Sequence, residues 1–185
     1  MNVPNTLSLL RLCAVPLVPL IYFSGLTGAN RIAALIYLAA SATDILDGYI
    51  ARKYNLITRL GRILDPLADK LMAFCVLVCL IVAGHAPLWA GIAVFFKEAC
   101  MGLGALVVYK KISDVPPSNI LGKLSTTVFF SVCFLVMVFQ DIEYRYAGTV
   151  NTAAFALALA LNIAALCIYV GYLFKGRNTK SENRE

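Results

Sequence analysis

Between Leu7 and Phe174 the chain is a succession of long apolar stretches separated by short polar joints. Six stretches are read: Leu7–Phe23, Arg31–Ile50, Leu64–Gly84, Leu88–Tyr109, Leu121–Phe139 and Thr149–Phe174. A helix needs roughly 20 such residues to cross the ~30 Å hydrocarbon core of a bilayer. The sequence therefore predicts an all-α integral membrane protein, a six transmembrane helix bundle. Composition agrees, with 61% of the 185 residues hydrophobic and 14% charged, against about half and about a quarter in soluble domains. The first stretch does not read as a cleavable signal peptide, because Pro16 and Pro19 interrupt it and no small-residue cleavage site follows. Joints this short leave no room for a soluble domain. Residues 1–175 read as one membrane domain and 176–185 as a disordered polar tail.

Basic residues orient the bundle. Arg52, Lys53, Arg59 and Arg62 lie between the second and third stretches, Lys110, Lys111 and Lys123 between the fourth and fifth, and Lys175, Arg177, Lys180 and Arg184 after the sixth. The opposite joints carry only Arg31 and Arg145, near Asp141 and Glu143. The positive-inside rule then places both termini in the cytoplasm of a multi-pass cell-membrane protein. The net charge of +6 is spread over these joints, which suits anionic headgroups and phosphorylated substrates and not a nucleic acid. Six cysteines stand singly in apolar runs, apart from the pair Cys75 and Cys79, and read as small buried hydrophobes.

The acids are concentrated at one joint. Asp44, Asp47, Asp65 and Asp69 fall within 26 residues of a chain that has only ten acidic residues. A carboxylate at the centre of a membrane helix costs at least ~2.5–3.5 kcal/mol. Divalent cations of the Mg²⁺ type compensate, since they prefer carboxylate oxygens. Asp44, Asp47, Gly48 and Ala51 recur at helical spacing and share one face, and Asp65 and Asp69 share another. Two carboxylate pairs on antiparallel neighbours can face each other near the cytoplasmic surface and hold two ions roughly 3.5–4 Å apart. Gly48 and Ala51 clear side chains from the acidic face, or else serve as helix-packing residues. Arg52 projects to nearly the same side and can meet phosphate oxygens, or snorkel to the interface. Salt bridges from Arg52, Arg62 and Lys70 are the alternative account of the acids. Pro66 is placed in the first turn of the third helix, where its missing donor does no harm.

Together these residues form the pattern D-x₂-D-G-x₂-A-R-x₈-G-x₃-D-x₃-D. It resembles the signature of the CDP-alcohol phosphatidyltransferases at every position: Asp44, Asp47, Gly48, Ala51, Arg52, Gly61, Asp65 and Asp69. The resemblance implies a six-helix membrane enzyme that displaces CMP from a CDP-linked lipid, CDP-diacylglycerol, with an acceptor alcohol. It implies that Asp44, Asp47, Asp65 and Asp69 bind two Mg²⁺ or Mn²⁺ ions, with Asp69 also the general base. It assigns CDP binding to Asp44, Gly48, Ala51, Arg52 and Gly61. Members of the family are often homodimers. The chemistry is consistent, because a pyrophosphate needs cations to offset its charge and an alcohol needs a base to become a nucleophile.

The acceptor is read from outside this window. The segment from Pro4 to Arg11, P-N-T-L-S-L-L-R, resembles the N-terminus of phosphatidylglycerophosphate synthases and also of CDP-alcohol-type cardiolipin synthases. The first branch implies glycerol 3-phosphate as acceptor, and Lys97, Lys110, Lys111 and Lys123 are the candidate ligands of its phosphate. Lys97 lies inside or at the edge of the fourth stretch beside Glu98, and either serves the acceptor or forms a local charge pair. That branch usually has Arg-Glu and a further arginine on the fourth helix, and G-K-x-K-T before the fifth. Here stand Lys97-Glu98 followed by Met101, Gly102 and Gly104, and then Gly122-Lys123-Leu124-Ser125-Thr126. Cardiolipin synthase, with phosphatidylglycerol as acceptor, therefore stays open. A membrane prenyltransferase would place its aspartate motifs on distant helices, and a small cation transporter would place acids near mid-span. His85, far from the acids in an outer joint, receives no catalytic role, and Trp89 reads as an interfacial anchor.

Overall fold

The computed structural model describes residues 3–54, 61–111, 120–142 and 146–182, and within these ranges not every side chain. The described residues are helical and contain no strand. In order they form α1 (Val3–Ala14), α2 (Leu17–Tyr22), α3 (Ala29–Lys53), α4 (Gly61–Val82), α5 (Leu88–Lys111), α6 (Ile120–Phe139) and α7 (Ala147–Glu182). A helix satisfies its backbone polar groups internally, which is what a chain this apolar requires. α6 over Ile120–Phe139 and the Ala147–Ile168 part of α7 are long and apolar enough to cross a membrane. Large apolar side chains also face outward along the helices, with Leu20, Leu35, Phe96 and Leu157 each more than 60% exposed. Monomeric soluble proteins rarely present apolar surface so continuously.

The first predicted span is two helices, and its prolines explain why. Pro16 has no N–H to donate to the Leu12 carbonyl, and Pro19 has none for the carbonyl of Val15. The chain turns at Val15–Pro16, and the Val15 carbonyl accepts the Cys75 thiol from α4 instead, at 3.5 Å. α4 starts three residues earlier than the sequence implied, at Gly61. Pro66 therefore sits in the second turn, where the carbonyl of residue 62 loses its helical donor, directly beside Asp65. The C-terminal tail also differs from expectation. α7 continues as helix to Glu182, because apart from Gly176 its polar residues are tolerant of helix and none is proline.

The chain divides into two compact units, residues 1–86 with 133–147 and residues 87–132 with 148–185. In the first, α1 and α2 both pack on α3 and α4. Ala33, Ala34, Ala40 and Ala68 are buried there among Tyr37, Met72, Val76 and Leu77, and small residues of this kind let helix backbones approach closely. Asn30 closes the end of this unit, its Nδ2 donating to the Met137 carbonyl at 3.2 Å and to Asp141 Oδ2 at 2.8 Å. Tyr22 donates to Gln140 nearby. The second unit holds α5, the first part of α6 and α7. Phe129 and Phe155 meet edge to face there at 6.4 Å between ring centroids.

Candidate active site

α1 carries two polar side chains that its apolar surroundings do not explain. Ser8 and Arg11 are three residues apart, so they rise from one face of the helix, and both are buried, Arg11 to 2% exposure. Each has an aspartate as partner. Arg11 Nη1 donates to Asp44 Oδ1 at 2.6 Å. Ser8 Oγ donates to Asp65 Oδ1. Asp44 belongs to α3 and Asp65 to α4, so one face of α1 receives an acid from each of two helices. That convergence is the centre of the candidate site.

The remaining signature residues lie on the same two helices, α3 and α4. Asp69 lies one turn beyond Asp65 on α4 and is exposed, while Gly48 on α3 is half-buried and Gly61 at the start of α4 is buried. Asp47, Ala51 and Arg52 are in α3, with side chains outside the described set. The described acids do not by themselves form a three-ligand cluster with cysteine or histidine. The donor chemistry nonetheless fits a hard divalent cation: Asp44 and Asp65 are carboxylates, and each is held through Oδ1 alone in the contacts above, with Oδ2 the remaining donor.

Lys97 is far inside α5. It is the tenth residue of a helix beginning at Leu88, about 14 Å along the axis from that end. Its ammonium is buried, to 8% exposure. It meets Glu98 Oε1 at 2.7 Å and donates to Asn162 Oδ1 of α7 at 2.8 Å. Asn162, 3% exposed, donates in turn to the Ala158 carbonyl at 2.8 Å and the Ser125 carbonyl of α6 at 3.3 Å. One asparagine thus ties Lys97 to α6 two residues from the exposed Lys123. Lys110 and Lys111 lie at the other end of α5, with side chains outside the described set. Thirteen residues of helix put them about 20 Å along the axis from Lys97. Among the described side chains, the one link between these lysines' helices runs from Lys97 through Asn162 to the Ser125 carbonyl of α6.

Ser8, Arg11 and Asn162 received no role of their own from the sequence, although two of the three had a signal. Arg11 interrupts the first apolar stretch, and Asn162 is the lone polar residue between Thr152 and Gly171 save Cys167 and Tyr169. Polar groups at such depth are costly and need partners.

Comparison with known proteins agrees with this architecture. The family model described as CDP-alcohol phosphatidyltransferase matches residues 1–168. The chain belongs to that family, and its described residues, without strand and with two helices long and apolar enough to cross a membrane, are consistent with a membrane protein of that family. Among its relatives is the CDP-diacylglycerol–glycerol-3-phosphate 3-phosphatidyltransferase of Rickettsia bellii, 32% identical over 174 residues, covering 94% of this chain and 93% of the relative. The protein of the same name from Bacillus subtilis is 34% identical over 68% of this chain and 70% of its own length. A cardiolipin synthase (CMP-forming)/mitochondrial hydrolase fusion protein of Schizosaccharomyces pombe is 37% identical over 62% of this chain, which is 18% of the fusion.

Proposed function

We propose that the chain transfers the phosphatidyl group of CDP-diacylglycerol to glycerol 3-phosphate, releasing CMP and forming phosphatidylglycerophosphate. Relatives of similar length bear the name of that activity. The observation that carries the reading within this chain is the convergence of Asp44 and Asp65 on Arg11 and Ser8. We place the site at the cytoplasmic face of a six-span, multi-pass bundle with both termini inside, following the distribution of lysine and arginine.

In this reading Asp44, Asp47, Asp65 and Asp69 hold two Mg²⁺ or Mn²⁺ ions, which when bound offset the charge of the pyrophosphate and of the departing CMP. Gly48 and Ala51 keep the acidic face of α3 clear for the cytidine diphosphate, and Arg52 and Gly61 border it. Asp69, exposed and one turn from Asp65, takes the proton of the acceptor hydroxyl. The acceptor oxygen bonds to the phosphorus that carries the diacylglycerol as the bond from that phosphorus to the CMP oxygen breaks. Lys97, Lys110, Lys111 and Lys123 are the cations we assign to the acceptor's phosphate.

Cardiolipin synthesis with phosphatidylglycerol as acceptor is the second reading, favoured by the match to the fission-yeast fusion protein and by the ion pair that already engages Lys97. Purified protein in detergent, given CDP-diacylglycerol, Mg²⁺ and either acceptor, separates the two. CMP release with glycerol 3-phosphate but not phosphatidylglycerol is expected; the reverse would transfer the chain to the second branch.

A further inference from the structure

The two acids of the site are held from outside the signature that contains them. Arg11 is all but sealed from water, and a buried guanidinium requires a partner because its desolvation costs several kcal/mol. Its partner is Asp44, at 2.6 Å. Ser8, one turn earlier and also buried, has its hydroxyl on Asp65. Both contacts use Oδ1, both come from one face of α1, and they reach acids on different helices. A carboxylate fixed through one oxygen presents its other oxygen in a defined direction. Residues that orient metal ligands in this way contribute to metal affinity nearly as the ligands do.

We propose that α1 is a positioning element of the metal site, with Ser8 orienting Asp65 and Arg11 orienting Asp44. The proposal rests on the reading of these acids as ligands of a divalent cation. It assigns to Ser8 and Arg11 no contact with the reacting atoms. Their effect passes through the two aspartates, whose spacing α1 sets by bridging α3 and α4. Arg11 has a second consequence. It supplies a fixed positive charge beside Asp44 that holds this carboxylate in place before any cation arrives.

The test is titration of Mn²⁺ into the detergent-solubilised full chain, read from the loss of the free-ion signal in electron paramagnetic resonance. Ser8→Ala is expected to weaken Mn²⁺ binding by tenfold or more, the range typical of lost orienting partners. Ser8→Thr, which keeps the hydroxyl, is expected to recover most of that loss. Arg11→Gln is expected to weaken binding as well. In CMP-release assays the Mn²⁺ concentration for half-maximal rate is expected to shift by the same factors, whereas a general folding defect would lower the rate at every Mn²⁺ concentration. Unaltered affinity in Ser8→Ala, or a Ser8→Thr variant as weak as Ser8→Ala, would overturn the role of Ser8. Tighter binding in Arg11→Gln, the result expected of a cation that merely competes, would overturn that of Arg11. Failure of the unaltered protein to bind Mn²⁺ would remove the metal reading itself, and this proposal with it.

Discussion

Arg11 and Asp44 form an ion pair at 2.6 Å whose two halves differ sharply in burial: the arginine side chain is 1% exposed and the aspartate side chain 40%. The pair is asymmetric in its consequences. Removing Arg11 leaves a carboxylate that water can reach, while removing Asp44 takes an anionic partner from a guanidinium in an apolar interior. Without added metal, Asp44→Ala should destabilise the protein by about 3–5 kcal/mol, the range for breaking a buried pair. Arg11→Met should cost nearer 1 kcal/mol, as at a solvated pair. Thermal unfolding in detergent measures both, and a larger loss for Arg11→Met would show that Asp44 depends on Arg11 more than the reverse.

Asp69 is exposed, one turn beyond Asp65 on α4. As the base, it should be dispensable for binding the CDP-lipid and indispensable for turnover. Asp69→Asn should lower kcat by about 10²–10⁴-fold while the dissociation constant for CDP-diacylglycerol changes little. A parallel loss of binding would make Asp69 chiefly a ligand.

Lys97, between Glu98 and Asn162, offers a separation of KM from kcat. Lys97→Ala should raise the KM for glycerol 3-phosphate by about tenfold, equivalent to about 1.4 kcal/mol, and leave the KM for CDP-diacylglycerol near its original value. Asn162→Leu should act mainly on stability, by about 1–2 kcal/mol for a lost interhelical hydrogen-bonding side chain. Steady-state kinetics with each substrate varied in turn checks both. Equal changes in both KM values for Lys97→Ala would take the lysine out of the acceptor site.

Gly84 ends α4 with a φ of +78°. The N–H groups of Gly84 and His85 return to the carbonyls of Ile81 and Leu80, at 3.0 and 2.8 Å, which closes the helix as a left-handed glycine cap. A Cβ at this position would meet nothing within 4 Å, so the penalty for Gly84→Ala is conformational alone, about 1 kcal/mol. The expected result is a modest fall in unfolding temperature with activity intact.

Much of this was legible because membranes simplify sequences. The places of α5 and α6 followed from apolar length to within two residues, though α4 begins three residues before its apolar run, and the signature acids stood out against a background nearly free of charge. The prolines Pro16 and Pro19 announced the break that makes two helices of the first stretch, but not that Cys75 of α4 would meet the freed Val15 carbonyl. The roles of Ser8, Arg11 and Asn162 were not legible for a related reason. Each partner lies 33 or more positions away in sequence, and a linear pattern carries no information on which distant helix a side chain will face. For Lys97 the adjacent Glu98 was visible, whereas Asn162 was not.

The central claim is that the acids gathered on α1 serve a metal-dependent phosphatidyl transfer. The most direct measurement is CMP release by the purified, detergent-solubilised protein from CDP-diacylglycerol and glycerol 3-phosphate, with and without Mg²⁺, for the unaltered chain and Asp65→Asn. The account predicts release that requires Mg²⁺, disappears with a chelator, returns when Mg²⁺ is restored, and is lost in Asp65→Asn. Release that persists in the chelator or in Asp65→Asn would contradict it.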